Sequence, residues 1–159
     1  MIYSTATIPV NPEGESVLSR AQLWQGLVLK ARDARLFLPP GACSACEVTV
    51  EGTNYIIREA TIMGDFICEF ISFVPERKVS FHQVISPREG VIVNEIIEDA
   101  EGQLFLKFYC LIGLPDVDPN GAEEQQAKAV FDSEDRGYAA ALRSTLARTR
   151  ELLAAGEIA

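Results

Sequence analysis

The chain has 159 residues, of which 48% are apolar, and it carries a formal net charge of -9. This length and apolar content predict one packed domain, residues 1–159, rather than a disordered segment. The acidity opposes binding to nucleic acid or to an anionic membrane surface, because phosphate groups would be repelled. The first ten residues lack a basic segment followed by an apolar run, and no stretch is long and apolar enough to span a bilayer. We therefore expect a cytoplasmic protein with reduced thiols and no membrane span.

The first part of the chain predicts a strand followed by a helix. Residues 2–11 are rich in β-branched side chains and end at a turn signal, as a strand would. Ser19 and Gln22 have the spacing of a capping box at the start of a helix over residues 19–34. One face of this helix carries Leu23, Leu27 and Lys30. Two prolines limit RLFLPPG, residues 35–41, to a short second helix.

From residue 45 onward the apolar residues alternate with polar ones, which is the period of a strand. Six strand candidates follow one another: ACEVTVE (45–51), NYIIREATIM (54–63), FICEFISFV (66–74), KVSFHQVIS (78–86), GVIVNEIIED (90–99) and LFLKFYCLIG (104–113). Their separators are short, which favours antiparallel neighbours. Residues 118–156 then predict a long helix that Gly137 kinks or brings close to the sheet.

This order of elements defines the expected fold class, which is α+β. A seven-stranded curved antiparallel sheet would wrap around the long C-terminal helix, with two short helices between strands 1 and 2. The space between sheet and helix is the natural place for a ligand.

Three features carry a resemblance to a known family: QLWQGLVLKARDARLFLPPG (22–41), the six-stranded meander and the final RELLAAG (150–156). Together they resemble the uncharacterised SRPBCC family that includes acetylaranotin-biosynthesis-type proteins, within the birch-pollen-allergen/START superfamily. The resemblance spans essentially the whole chain and implies a helix-grip fold with an internal hydrophobic cavity. Members of the superfamily bind lipids, hormones and polyketides, and some cyclise polyketides. The resemblance brings no catalytic motif, and the fold does not choose among these activities.

The turns predict which strand residues face the cavity. A two-residue turn at 52–53 would place Cys46 opposite Glu59 and Val48 opposite Ile57. Paired residues share a face of the sheet, and these four form the less polar face of the hairpin. We therefore expect them to face inward, with Glu59 as a polar group beside Cys46.

A second two-residue turn, at 64–65, would agree with this assignment and place Phe66, Cys68 and Phe70 inward. The outer face would then carry an apolar patch of Ile56, Ile67, Ile71 and Phe73. Either other helices or a second subunit in a homodimer would cover it. The alternative is the reverse phase, which would bury a charged cluster of Glu47, Arg58 and Glu69.

The later turns are less well defined by the sequence. A turn at 76–77 would point Phe81 and Gln83 inward and His82 outward, and a four-residue loop at 99–102 would point Glu95 inward. On the last strand, Leu106 and Phe108 would face the cavity. The side chains that close the cavity from the C-terminal segment would be Phe131, Tyr138 and Leu142.

The function that follows is the binding of a small hydrophobic molecule that is lipid-, polyketide- or aromatic-like, in a cavity with few polar groups. The alternative is a polyketide cyclase- or isomerase-like enzyme. In that enzyme Glu59 and Glu95 would be the catalytic acid and base, because burial raises the pKa of a carboxyl group toward neutrality. A third hypothesis is an interaction protein that pairs through the outer sheet face.

The motif C-x-x-C at Cys43 and Cys46 predicts neither a metal site nor a redox site. The only histidine is His82, and no second cysteine pair has zinc spacing. Strand residues follow the motif, whereas a redox C-x-x-C lies at a helix N-terminus that lowers the thiol pKa. We expect no metal and no cofactor.

Overall fold

The computed structural model describes all residues, 1–159, and contains seven strands and three α-helices. In chain order the elements are β1 (Ile2–Pro9), α1 (Arg20–Arg32), β2 (Cys43–Glu51), β3 (Tyr55–Ile62), β4 (Asp65–Val74), β5 (Lys78–Ile85), β6 (Glu89–Glu98), β7 (Leu104–Gly113), α2 (Ala122–Phe131) and α3 (Tyr138–Ala154). A short 3-10 helix, Ala34–Leu36, lies between α1 and β2.

The strands form one antiparallel sheet in the order β1-β7-β6-β5-β4-β3-β2. The predicted class is confirmed: a curved seven-stranded sheet, a C-terminal helix and short helices between the first two strands form an α+β helix-grip fold. β1 returns to pair with β7, so the meander from β2 to β7 is continued by the first strand of the chain. α3 packs against β1, β7 and α1.

The predicted capping box of α1 is confirmed in detail. The Ser19 hydroxyl accepts from the Gln22 amide, and the Gln22 side chain accepts from the Ser19 amide. The buried face of the helix consists of Leu23, Gly26, Leu27 and Ala31. Lys30 follows Leu23 and Leu27 by helical spacing, and it therefore points toward the sheet together with them.

The C-terminal segment is two helices rather than one. α2 ends at Phe131 and α3 begins at Tyr138, with Gly137 at its N-cap position. A Cβ atom at Gly137 would lie 2.1 Å from the Phe131 carbonyl oxygen, so the connection is tight. The break lets α2 pack against β1 while α3 packs under the sheet.

The predicted register of the first hairpin is wrong, because the loop is longer than two residues and β2 contains a bulge. Glu51 pairs with Ile56, and the register shifts between Val48 and Val50. Val48 therefore pairs with Arg58, whereas Glu59 pairs with Glu47. One extra residue in a strand reverses the faces beyond it. Arg58 points inward as a result, and Glu59 lies exposed on the outer face.

The second hairpin has the predicted two-residue turn, one residue earlier. Ile62 pairs with Asp65 around Met63 and Gly64, which both have positive φ. Arg58 pairs with Glu69, so the two side chains lie on the same face of the sheet, as predicted. This face is the buried one, whereas the prediction placed it outside. The reverse-phase alternative is confirmed for these two residues. It is wrong for Glu47, which stays exposed.

The reversed phase buries apolar side chains that were expected on the outer face. Ile56 and Ile71 become fully buried, and Ile67 and Phe73 become partly buried. Ile56 and Ile71 therefore belong to the core and Phe73 packs against it, so the outer patch expected for a second subunit is not formed by these residues. The charged side chains on the same face are accommodated because they pair with each other.

The later registers differ from the prediction by one residue at each turn. Val74 pairs with Lys78 around a three-residue turn, and the same register places Gln83 opposite Glu69 on the inner face, before a bulge between Cys68 and Glu69 shifts the pairing. Glu98 pairs with Leu104, so the last loop has five residues instead of four. The inward residue of β6 is consequently Asn94, which is 1% exposed, and Glu95 faces outward opposite Lys107.

Candidate functional site

A cavity of about 200 Å³ lies between the inner face of the sheet and the helices. Its walls are mostly apolar, and its charged groups come from α1, β3 and β4. The lining residues are Lys30, Ala34, Phe37, Leu38, Arg58, Ile62, Glu69, Phe81, Ile92, Asn94, Phe108, Tyr138 and Ala141. This combination of apolar walls and few polar groups is typical of small-molecule sites.

An ion pair between Arg58 and Glu69 forms one part of the cavity wall. The two side chains are only 5% and 8% exposed. Arg58 donates through Nε, at 3.1 Å, and through Nη2 to the same carboxylate oxygen of Glu69. Gln83 Nε2 donates to the other oxygen at 2.9 Å. Both carboxylate oxygens of Glu69 are therefore occupied.

Arg58 also joins the sheet to the end of α1. Its Nη1 donates to the carbonyl oxygens of Lys30 and Ala31, at 3.0 Å each. Carbonyls in the last turn of a helix have no partner within the helix, so a buried helix end needs such a donor. All three side-chain nitrogen atoms of Arg58 are thus used in structural contacts.

Lys30 brings an amine to the cavity with only neutral partners. Its Nζ donates to Asn94 Oδ1 at 3.1 Å and to Thr145 Oγ1 at 3.2 Å. The same nitrogen lies 4.1 Å from the centre of the Phe108 ring. Asn94, Thr145 and Phe108 are all at most 3% exposed and Lys30 itself is half-buried, so the amine lies among buried groups at the cavity wall.

This environment lowers the pKa of Lys30 to about 7 from the ordinary value of 10.5. Burial is the largest cause, since it penalises the charged form. The nearby positive charge of Arg58 lowers the pKa further, whereas the carboxylate of Glu69 raises it. Near neutral pH the amine is therefore present in both its charged and its neutral form.

The lowered pKa predicts a pH dependence of stability. Between about pH 7 and 10.5 the unfolded chain binds a proton on Lys30 that the native protein has lost. The free energy of unfolding should therefore rise with pH across this window because of Lys30. Urea unfolding of the native protein and of Lys30→Met should show this rise as a difference between the two. Parallel pH profiles would contradict it, and the comparison removes contributions from other titrating groups.

Tyr138 lines the cavity with its ring and holds a polar atom behind the wall, next to Cys110. Its hydroxyl oxygen is buried and has no hydrogen-bond partner within the chain. Burial, followed by the neighbouring Cys110, raises the pKa of this phenol, so the group stays protonated and able to donate. A buried donor without a partner costs stability, and such groups are uncommon in folded proteins.

Several sequence-predicted site residues lie on the cavity side of the sheet. Three line the cavity itself: Phe81, Phe108 and Tyr138. Leu106 and Leu142 are fully buried in the core beside it, and Val48 packs against the same core. Gln83 reaches the cavity wall through Glu69. Their role in ligand binding stays a prediction.

Other predicted residues are not brought together. Phe66 and Phe70 are 49% and 36% exposed on the outer face, where Phe70 stacks on Tyr55 and contacts His82. Ile57 and Cys68 occupy outer positions of the register, although the Cys68 side chain is buried. The common reason is the reversed phase of β3 and β4.

The two predicted catalytic carboxylates are also on the outer side. Glu59 is exposed and Glu95 pairs with Lys107, so neither lines the cavity. The carboxylate that does line it is Glu69. Phe131 is half-buried at the end of α2 and does not line the cavity. Its ring packs against the ring of Tyr138, with 5.5 Å between the two ring centres.

Lys30 is the residue that the sequence analysis placed but did not assign to the site. Its position on the apolar face of α1, three residues after Leu27, was the available signal. A lysine on such a face either extends its charge to water or ends in the interior, and periodicity does not distinguish the two. Asn94 was missed because the length of one loop was off by one residue.

The C-x-x-C residues make structural contacts. Both lie on β2, where the Cys43 thiol donates to the Ala45 carbonyl and Cys46 Sγ accepts from the Ala34 amide. All four cysteines are free. Burial raises the pKa of Cys43, which is opposite to the lowered pKa of a redox thiol. No group of three His, Cys, Asp or Glu side chains is arranged to hold a metal ion.

None of the helices has the length and apolar character needed to cross a membrane. The fold is of the SRPBCC, Bet v 1-like helix-grip type and has an interior cavity. The family comparison is more specific, since the family profile described as acetylaranotin biosynthesis cluster protein L (AtaL) matches residues 4–156. The chain belongs to this AtaL family. No curated protein sequence matches it significantly.

Solved structures share the fold at low sequence identity. XoxI from Bacillus cereus is 16% identical with a TM-score of 0.64, covering 96% of this chain and 98% of that one. The ZhuI aromatase/cyclase from Streptomyces sp. R1128 is 17% identical with a TM-score of 0.58, covering 96% and 94%. Ara h 8.0201 is 12% identical with a TM-score of 0.56, covering 94% and 97%. At these identities the likeness shows the fold alone.

Proposed function

We propose that this chain, acting as one domain, binds a small and largely apolar molecule in the cavity. The observation that carries the proposal is a cavity of about 200 Å³ with apolar walls and an amine, Lys30, at its surface. An apolar cavity of about 150 Å³ is large enough for benzene, so a substituted single ring fits here. A full-length lipid chain does not fit this volume, which favours the aromatic-like ligands over lipids.

The polar atoms of the cavity suggest how such a ligand would be oriented. Lys30 donates at the cavity wall, whereas the hydroxyl of Tyr138 is buried next to Cys110. Arg58, Glu69 and Gln83 are already paired with one another. A ligand with one oxygen acceptor would accept the third N–H of the charged Lys30, whereas a purely aliphatic ligand would not.

Filling the cavity should weaken binding. Ala141 lines the cavity from α3, and Ala141→Leu should raise the Kd for a small aromatic probe such as benzyl alcohol about tenfold or more, since even one methylene changes pocket affinity strongly. The matched control is Ala147→Leu, at an exposed position of the same helix. Ligand-detected NMR measures both constants. Equal affinity in the two variants, or no binding of any aromatic probe to the native chain, would contradict the proposal.

A second candidate function, a cyclase- or isomerase-like enzyme, is favoured by Lys30 rather than by a carboxylate. A group with a pKa of about 7 can accept and return a proton at physiological pH. Glu69 is less suited to this role because both its oxygens accept hydrogen bonds. Lys30→Gln should then abolish turnover of a polyketide-like substrate while leaving its binding within a few-fold. Unchanged turnover in this variant would exclude the lysine as the acid–base group.

A further inference from the structure

We propose that Lys30 forms an imine with the carbonyl carbon of a small aldehyde or ketone bound in the cavity. The inference rests on the proposed binding function and names a chemical class of ligand for it, carbonyl compounds of about one ring in size. It goes beyond binding because it assigns covalent chemistry to one nitrogen atom.

The first support is that Lys30 supplies the only amine at the cavity. The other three lysines, Lys78, Lys107 and Lys128, do not line it. The second cation, Arg58, is held by Glu69 and by two helix carbonyls. A guanidinium in such contacts is not a nucleophile, so only Lys30 can attack a ligand.

The second support is the set of partners around Lys30 Nζ. No carboxylate lies within ion-pair distance of it, whereas Arg58 has one. A neutral amine has two N–H groups and one lone pair. Asn94 Oδ1 and Thr145 Oγ1 accept two N–H groups, which leaves the lone pair free. The lowered pKa of Lys30 agrees with this arrangement, because the neutral form is populated near pH 7.

The reaction is balanced without any further reactant. The lone pair of Lys30 Nζ attacks the carbonyl carbon, and the C=O π electrons move to the oxygen. The two amine hydrogens leave with that oxygen as one water molecule, and a C=N double bond remains. No atom changes its overall oxidation level, so no oxidant or reductant takes part. The apolar walls hold the two partners together, which favours the addition step.

Reductive trapping tests the proposal. The full chain is incubated at pH 7 with benzaldehyde and sodium cyanoborohydride, and the benzylated lysines are located by peptide mass spectrometry. Lys30 should be labelled at least about tenfold faster than the exposed Lys128, because the neutral amine is far more populated at a pKa near 7. Both sites are read in the same digest, so each sample contains its own reference. Labelling of Lys30 no faster than Lys128 would overturn the proposal.

Two further arms separate this inference from the binding proposal. Benzyl alcohol has a similar shape but no carbonyl group, and an excess should slow labelling of Lys30 without affecting Lys128. Ala141→Leu should have the same effect. If benzyl alcohol binds the native chain while Lys30 resists trapping, the imine is wrong and the binding function stands. If neither compound enters the cavity, both proposals fail. Lys30→Arg keeps the charge and should show no label at position 30.

Discussion

Replacing Glu69 with alanine is expected to lower the free energy of unfolding by about 3–5 kcal/mol, because Arg58 is then left buried without its counter-ion. The side chains of this pair are 5% and 8% exposed, so water screens the uncompensated charge poorly. Gln83 Nε2 also loses its acceptor. Urea denaturation with linear extrapolation measures the change.

A matched surface pair is the control for this prediction. Arg20 and Glu98 are joined at 2.8 Å with 30% and 49% of their side chains exposed. Glu98→Ala should cost less than about 1 kcal/mol, since an exposed ion pair contributes little. Similar costs for Glu69→Ala and Glu98→Ala would show that the buried pair is not the electrostatic contact described here.

The double variant Arg58→Met/Glu69→Leu should recover part of the loss but not all of it. Replacing a buried ion pair with apolar side chains of similar size is often neutral or stabilising. Here, however, Arg58 also donates to the carbonyl oxygens of Lys30 and Ala31 at the end of α1. Those two acceptors would stay unpaired in the double variant. Full recovery would mean that this helix end does not need the guanidinium.

Gly90→Ala is the second change with a large expected effect, about 2–5 kcal/mol of stability, because it combines backbone strain with a collision. Gly90 has a φ of +107° at the start of β6. A Cβ atom there would lie 1.9 Å from the Leu111 carbonyl oxygen of β7. A strand backbone cannot move away from such a contact without breaking the ladder that carries Ile92 to the cavity.

Gly64→Ala separates the two causes. Gly64 has a φ of +89° in the turn between β3 and β4, but no atom lies within 4 Å of its ideal Cβ position. This variant should therefore pay only the conformational cost, about 1 kcal/mol. Thermal or urea unfolding of the two variants side by side gives the comparison. Equal losses would mean that the collision at Gly90 is relieved by a small shift.

How far the sequence predicts the site depends on the turns. The period of the strands and the short separators predicted every strand and the antiparallel pairing of consecutive strands from β2 to β7, but not the pairing of β1 with β7. The face of each strand was harder to predict, because it depends on single-residue details. Because of the bulge between Val48 and Val50, the inward residue of β3 is Arg58 and not Glu59. Because the loop before Leu104 has one additional residue, the inward residue of β6 is Asn94 and not Glu95. Neither detail leaves a pattern in the residues nearby.

The charge of the site illustrates the same limit. Local reasoning placed Arg58 and Glu69 in water, since a single charged side chain is costly to bury. They are buried because two neighbouring strands bring them together, and because the same face holds Ile56 and Ile71. The cost of burying the charged pair and the gain from burying the apolar residues involve several strands at once. Which face of the strands is buried therefore depends on the whole sheet.

The sequence by itself determined the order of the elements, the α+β helix-grip fold and the capping box of α1, because these depend on local period and on short-range hydrogen bonds. Tertiary structure alone decided that the C-terminal segment divides into α2 and α3, and that the polar groups of the cavity are Lys30, Arg58, Glu69 and Asn94. The physical reason is that a side chain's face and ionisation depend on neighbours distant in the chain. Burial and Arg58 together lower the pKa of Lys30, and neither is encoded near residue 30.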